Sequence, residues 1–594
     1  MSDVTAASSV SFAEFPAVTT AEWQARLARD LKGQDPATLR WPLPDGFALE
    51  PFYHREALAA LGGPPAPQPH PITPWLNVPT LNVPADADGR EQIELAATAL
   101  ALGADGIHFN ISDAATFAVY YLAELLPLAR TFVGYTVTEA PDTLLSQLVE
   151  NNPGTALRGF LRFAPGPVPE GGELADYRVA LRRCVSLTTG MPDFRALAVN
   201  GAFFGNRGAT ATQQIAFSLN TAAALLAELP NAEVSTAQVA AALHLHMAVM
   251  PGYFLEIAKL RALRRLWATL LHSFGLPAEL NERLRIHTLT SSWTQTTLAP
   301  HNNLLRHTTE AMSAVLGGAD SLSVAPFDYL FAEANEFSSR LARNLSVLLR
   351  EEAGLGRVQD PAAGSYFIET LTDQLAREAW QLFQRMEEAG GLPQVRGQLL
   401  DEIKTVATET FRRIASGQQV VVGTNRFQDR NEQFSFHPKK LLRSASFDVT
   451  RAAYPTEVLR LATALHFERR ERKSKRAAVV LLGSNTNQVI LESFVQMLQE
   501  HERPELAASH PPGTLSLLYS SAEEATLMYA TPEQFQRFAR FIYLIPNEKH
   551  VFIPPALLSS DLATMQEAVR VFGFKEMKVQ GYTTEQVLAR LQGR

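Results

Sequence analysis

Residues 244–290 read HLHMAVMPGYFLEIAKLRALRRLWATLLHSFGLPAELNERLRIHTLT. The run His244–Val249 is β-prone and ends at Pro251 and Gly252, and Phe254–Phe274 then places apolar residues at helical spacing. Arg285–Thr290 returns to a β-prone run, so the stretch predicts a strand, a crossover helix and a second, parallel strand. The same unit recurs outward in both directions. Strands are predicted at Leu76–Val83, Gly106–Ile111, Thr131–Thr136, Gly159–Phe163, Ala196–Asn200 and Ser321–Ala325. The intervening helices include Glu91–Ala101, Ala115–Leu126, Thr210–Leu229 and Asn302–Leu316. About eight strand-then-helix units predict an α/β chain folded as a (β/α)8 (TIM) barrel. An open doubly wound sheet is the alternative, but no glycine-rich dinucleotide loop follows an early strand.

Four domains follow from this reading. Residues 1–70 form an arm suited to a partner's surface, ending near the prolines Pro64, Pro65, Pro67 and Pro69. Residues 71–440 form the barrel with a helical extension beyond Asp328, and 441–475 form a linker. In 476–594 an α/β pattern restarts, with strands at Ala477–Leu482, Thr514–Tyr519, Val551–Pro554 and Glu576–Val579. Helices Asn487–Gln499, Met565–Phe572 and Thr584–Leu591 alternate with them, which suits a smaller flavodoxin-like domain.

Composition excludes several function classes. The 594 residues are 46% hydrophobic with a formal net charge of -8, which disfavours nucleic acid and anionic membranes as partners. The basic run Arg469–Arg476 has no aromatic platform and reads as a solvated linker. A single cysteine, Cys184, rules out an intrachain disulfide and a cysteine-rich zinc site. The first residues show no signal-peptide pattern and no apolar run spans a bilayer, so a cytoplasmic location is expected.

His244 and His246 form an H-x-H pair on one face of a strand, the geometry of two metal ligands. Metallohydrolase barrels place that pair on the first strand; here it lies on the sixth, so core or pocket histidines are the better reading. His108 and His287 read as interior histidines. Arg285–Ser292 and the strand with Ser321, Ser323 and Ala325 carry small or hydroxylated residues on one face. Facing the axis they leave room for a narrow ligand; facing helices or water they mean nothing special. Asn302 and Asn303 suit a helix N-cap, and Asp360-Pro361 a turn. Glu351–Glu352 and Glu387–Glu388 suit solvated helix faces, and Gly317-Gly318 a helix stop.

An ordered series of motifs spreads over most of residues 15–430. It includes Trp23, Asp30–Gly33, Asp45-Gly46-Phe47, Pro51-Phe52-Tyr53, Glu256–Ala262 with Trp267, Trp293, Pro300, Asn302-Asn303, Arg306, Glu310-Ala311-Met312 and Val315–Gly318. Arg340–Asn344, Asp360–Tyr366 and Val422–Asn425 complete it. Together these resemble the methylmalonyl-CoA mutase family. The resemblance implies a barrel whose axis takes an acyl-CoA chain, a C-terminal cobalamin domain, and radical interconversion of (R)-methylmalonyl-CoA and succinyl-CoA.

The chain departs from the catalytic pattern where the chemistry lies. Catalytic members carry D-x-H-x-x-G after the first strand of the C-terminal domain; here the residues are Gly483-Ser484-Asn485-Thr486-Asn487-Gln488, and His510 lies elsewhere with Ala508 at the aspartate position. A G-Y-H segment becomes Gly201-Ala202-Phe203, a glutamine becomes Leu298, and Q-S-L-H-T-N becomes Asp320–Ala325. The tyrosine motif R-x-Y-A-G-F has no counterpart. The pattern is similar to the small, non-catalytic subunit of heterodimeric mutases. It implies no catalytic, cofactor or metal residue on this chain, adenosylcobalamin on a catalytic large-subunit partner, and an acyl-CoA ligand left open. The other readings are a self-sufficient mutase, a metal-dependent barrel hydrolase using His244 and His246, and a CoA-ester-binding regulator without chemistry.

Overall fold

The computed structural model describes residues 18–63, 74–164, 171–332, 335–415, 418–427, 436, 451–454 and 457, and four short strands beyond them. The chain opens with helix α1 (Thr20–Asp30), a two-stranded ribbon of β1 (Trp41–Pro42) and β2 (Ala48–Leu49), and α2 (Arg55–Ala60). Thr19 caps α1 in a reciprocal box with Glu22, yet no residue of α1 is buried. This arm touches its own chain: the Asp45 carboxylate accepts from the Thr212 backbone N–H at 2.8 Å, and the Tyr53 ring lies 5.3 Å from Phe367.

Ten strands and their crossovers follow. Strands β3 (Leu76–Asn77), β4 (Thr80–Val83), β5 (Gly106–Ile111), β6 (Phe132–Val137), β7 (Arg158–Phe163) and β8 (Phe194–Arg195) lead into β9 (Leu197–Asn200), β10 (Leu243–Val249), β11 (Ile286–Thr290) and β12 (Ser321–Ser323). Every pairing among them is parallel, in the orders β4-β5-β6-β7-β8 and β3-β12-β11-β10-β9. The expected barrel is therefore two five-stranded parallel sheets, not one closed ring of eight. The reason lies at two short seams. Pro79 has no N–H to give, and residues 76–79 divide their bonds: Val78 N–H donates to the Leu322 carbonyl, while the Pro79 carbonyl accepts from His108 N–H, both at 2.9 Å. At the other seam Ala196 alone separates β8 from β9.

The crossovers are α3 (Arg90–Ala101), α4 (Val119–Leu125), α5 (Pro141–Glu150), α6 (Gly171–Leu187), the short α7 (Gly201–Gly205), α8 (Ala211–Glu228), α9 (Thr236–Ala242), α10 (Tyr253–Ser273) and α11 (Asn302–Leu316). Helix α4 starts four residues later than predicted, because Asp113 turns the chain by accepting from the Ala115 N–H. Helix α10 ends at Ser273, one residue short of the predicted limit, with Phe274 as its C-cap before Gly275 in the left-handed region. The extension is α12 (Glu336–Glu351), α13 (Tyr366–Glu388) and α14 (Leu392–Ala415), and α13 packs on α8 and α10 to close the main core.

Beyond the extension, β13 (Ala478–Leu481), β14 (Phe541–Leu544), β15 (His550–Ile553) and β16 (Lys578–Gly581) form a sheet in sequence order. Only β15 and β16 pair in parallel; β14 is antiparallel to both neighbours. This corrects the flavodoxin-like expectation, in which all strands run parallel. Five residues separate β14 from β15, enough for a hairpin and too few for a crossover. The predicted strand Thr514–Tyr519, the predicted C-terminal helices, most of the linker and Gly483–Gln488 lie outside the described residues, while within the linker Arg451 and Glu457 are buried and form an ion pair.

Candidate functional site

Side chains alternate along a strand, so one face of each sheet points inward. His108 on β5 and Phe160 on β7 meet His244 and His246 on β10 and His287 on β11 across the gap between the two sheets. Phe160 stacks on His244 with centroids 4.9 Å apart, meets His246 edge-on at 4.7 Å and touches His287 at 5.0 Å. His246 and His287 lie 4.7 Å apart, and His108 is 5.8 Å from His287. Gly134 on β6 makes this possible, since a Cβ there would overlap the Phe160 ring. A glycine inside a strand marks such a close approach.

The hydrogen bonds fix the tautomers of His108, His244 and His287. The Leu197 carbonyl can only accept, so His244 Nδ1 carries the proton over 2.9 Å and Nε2 is a bare lone pair with no partner. The Ser323 hydroxyl donates to the Val78 carbonyl, so it accepts from His287 Nε2–H at 3.1 Å, and His287 Nδ1 accepts from the Ser321 hydroxyl at 2.8 Å. Thr80 donates to Ser323 and accepts from His108 Nδ1–H, and His108 Nε2 accepts from Thr136, which itself accepts from Arg162 Nε. Both ring nitrogens of fully buried His246 lack a partner. Burial, and then the Arg162 charge, pulls His287 down to about 3; burial also holds His108, His244 and His246 well below the usual histidine range. These are neutral rings.

As a metal pair, His244 and His246 lack acidic company. Among the described residues no group of three or more histidine, cysteine or carboxylate side chains has the spacing to hold a metal ion. The hydroxylated residues Ser321 and Ser323 do face the interior, where both bond to His287.

Other predicted positions fall into place individually. Phe203, where the G-Y-H histidine is expected, is buried on α7 with the Arg207 guanidinium 3.7 Å over its ring. Leu298 is fully buried. Asn303 is no N-cap: His301 holds that position without a side-chain bond, and Asn303 donates to the Thr296 and Phe327 carbonyls while accepting from Arg306. Asp360 turns the chain at φ +41° and pairs with buried Arg261, which also pairs with Glu369. Glu387 lies at an exposed helix position, as read from the sequence, and its carboxyl also accepts from Asn220. Glu310 is fully buried, accepts from Thr294 at 3.1 Å and is pushed up to about 8 by burial.

Two cavities flank the packed centre. One of about 800 Å³ opens at the carboxyl ends of the strands, among Trp41, Met250, Glu256, Trp293, Arg306 and Val422. One of about 240 Å³ lies at the amino ends, between Arg158, Arg195, His244, Arg285 and Ser321. Phe160 belongs to the walls of the second.

A chain of parallel α/β units with a packed histidine and phenylalanine interior is the class this geometry defines. The family profile described as Methylmalonyl-CoA mutase matches residues 177–459. A methylmalonyl-CoA mutase small subunit of Porphyromonas gingivalis is 32% identical over 489 residues, covering 76% of this chain and 78% of that protein. The small subunit of Streptomyces virginiae is 31% identical over 447 residues, 70% of this chain and 71% of its own. The large subunit of Porphyromonas gingivalis is 36% identical over only 246 residues, 34% of its own length. The chain belongs to the methylmalonyl-CoA mutase family, an isomerase family, and its likeness to small subunits extends through most of its length. No described helix is long and apolar enough to cross a membrane.

Proposed function

We propose that this chain is the non-catalytic small subunit of a heterodimeric, adenosylcobalamin-dependent methylmalonyl-CoA mutase, located in the cytoplasm. A large subunit would hold the cofactor and interconvert (R)-methylmalonyl-CoA and succinyl-CoA, and this chain would complete and stabilise it. The observation that carries the reading is the Phe160 ring. The resemblance implies an acyl-CoA chain along the barrel axis, and here that space holds Phe160 between His244, His246 and His287. Phe203 offers no hydrogen-bond donor to a thioester carbonyl. We also read the two sheets as halves of one (β/α)8 barrel within residues 71–440, with a smaller domain at 476–594. Continuous chain across both seams and the meeting of both inner faces favour that reading.

The residues present do not fit cobalamin. Residues 482–500, which follow β13, contain no histidine to approach a cobalt. When bound to the partner, adenosylcobalamin supplies the radical chemistry. That Porphyromonas gingivalis has both a small and a large subunit among the relatives favours a two-chain assembly. Co-expression with a large subunit, followed by gel filtration, tests the proposal. A stable 1:1 complex active with adenosylcobalamin is expected, and an inactive chain alone. Turnover by the isolated chain, or cobalamin retained on it, would overturn the reading.

A further inference from the structure

The cavity at the amino ends of the strands carries chemistry that packing does not need. Its walls include the His244 ring, only 1% exposed, whose proton is fixed on Nδ1 and whose Nε2 lone pair has no partner of its own. A buried acceptor left unpaired costs about 1–3 kcal/mol, so such an atom calls for a donor from outside the chain. Ser321 beside it spends its hydroxyl proton on His287 and has lone pairs left to accept with. The inner end of the cavity therefore asks for a hydrogen-bond donor.

Its outer part asks for an anion. Three guanidiniums, Arg158, Arg195 and Arg285, face two carboxylates. Asp320 is already paired with Arg264 at 2.7 Å, and Asp193 sits 3.5 Å from Arg158. Arg195 and Arg285 hold no carboxylate in an ion pair and bond only to carbonyl oxygens. Arg195 is depressed to about 10, first by burial and then by the charges of Arg285 and Arg283. Phe160 closes the inner end, and 240 Å³ is roughly the bulk of eight waters at about 30 Å³ each. That volume is far too small to enclose coenzyme A.

We propose that this cavity is a blind binding site for a small hydroxylated anion, with the anionic group on Arg195 and Arg285 and the hydroxyl donating to His244 Nε2. The shared chemistry is one anionic head and one hydroxyl, whether from a hydroxy acid or from a monoprotonated phosphate. Calorimetry on the full-length chain tests it with L-malate, succinate and inorganic phosphate, with coenzyme A as competitor. Malate is expected to bind at least ten-fold tighter than succinate, which lacks only the hydroxyl. His244→Phe should erase that difference, and Arg285→Ala should weaken every binding anion ten-fold or more. Phosphate binding tighter than malate, with the same sensitivity to Arg285→Ala, would assign the phosphate source. Arg285→Ala lies on the rim and keeps the test open should His244→Phe fail to fold. No saturable binding of any of the three probes would sink the proposal, as would affinities unmoved by Arg285→Ala. Displacement of malate by coenzyme A would show the cavity is not blind.

Discussion

At the carboxyl ends of the strands the larger cavity takes much of its wall from outside the two large sheets, such as Trp41 on the arm and Val422 beyond α14, whereas the smaller cavity at the amino ends is framed by the strands of those sheets and their entry loops. The larger one is mostly apolar, with Glu256 beside it raised by burial. The smaller one is rimmed by guanidiniums. Between them the Phe160 and histidine cluster separates the ends. The contrast teaches that packed rings divide the two ends of the paired sheets, and what remains open is a wide rim at one end and a small charged recess at the other.

Removing the divider is the most severe way to break the comparison. Phe160→Ala is expected to cost about 3–5 kcal/mol, read as a lower urea midpoint, because the surrounding rings collapse only in part. Any gain of coenzyme A binding in that variant would confirm the ring as the barrier, and unchanged stability would mean Phe160 is not packed as described.

Titrating the divider comes next. His287 folded lies at about 3 against an ordinary 6.5, so the unfolded chain takes up protons first, and stability present above pH 6.5 is lost as pH falls toward 3. At about 1.4 kcal/mol per pKa unit, the change from pH 6.5 to 5 costs about 2 kcal/mol for His287 alone. Glu310 has the opposite sign: raised from 4.5 to about 8, it contributes stability below pH 4.5 that is lost as pH rises through 8. Unfolding midpoints across pH should therefore peak between these limbs. Glu310→Gln should flatten the alkaline limb alone, and an alkaline limb unchanged in that variant would remove Glu310 as its cause.

Tightening the divider is expected to cost less. Gly134→Val drives a side chain into the Phe160 ring, at about 1–3 kcal/mol in chemical denaturation. A neutral result would mean the sheet relaxes there. The smallest effect belongs to the rim of the large cavity, where Thr210 caps α8 through a reciprocal bond with Gln213. Thr210→Ala should cost about 1 kcal/mol, with amide exchange rising only in the first turn of α8. Exchange rising throughout the helix would show the cap to be part of the global fold.

Much of the frame was legible in local pattern. Gly106–Ile111 and Asn302–Leu316 fall at the predicted limits, since β-prone runs and helical spacing record which face is buried. The divider was not legible. His108 and His287 read only as interior histidines, and Phe160 carried no local sign at all, because its partners lie on strands about 85 and 125 residues away. Gly134 was the one available clue, a glycine inside a strand, and its meaning depends on what faces it. Asn303 misled for a related reason: its position suits a cap, but the carbonyls of Thr296 and Phe327, brought close by the fold, claim its amide.

By itself the sequence determined the alternation of strand and helix, the family likeness, and the lack of histidine in residues 482–500. Each is a property of neighbours along the chain. Only the tertiary structure decided that Phe160 lies among four histidines, which tautomer each bonded ring adopts, that two sheets meet at Pro79 and Ala196, and that arginines at the starts of β7, β8 and β11 share one recess. Those outcomes depend on groups dozens of residues apart competing for the same space and the same protons, which no local pattern encodes.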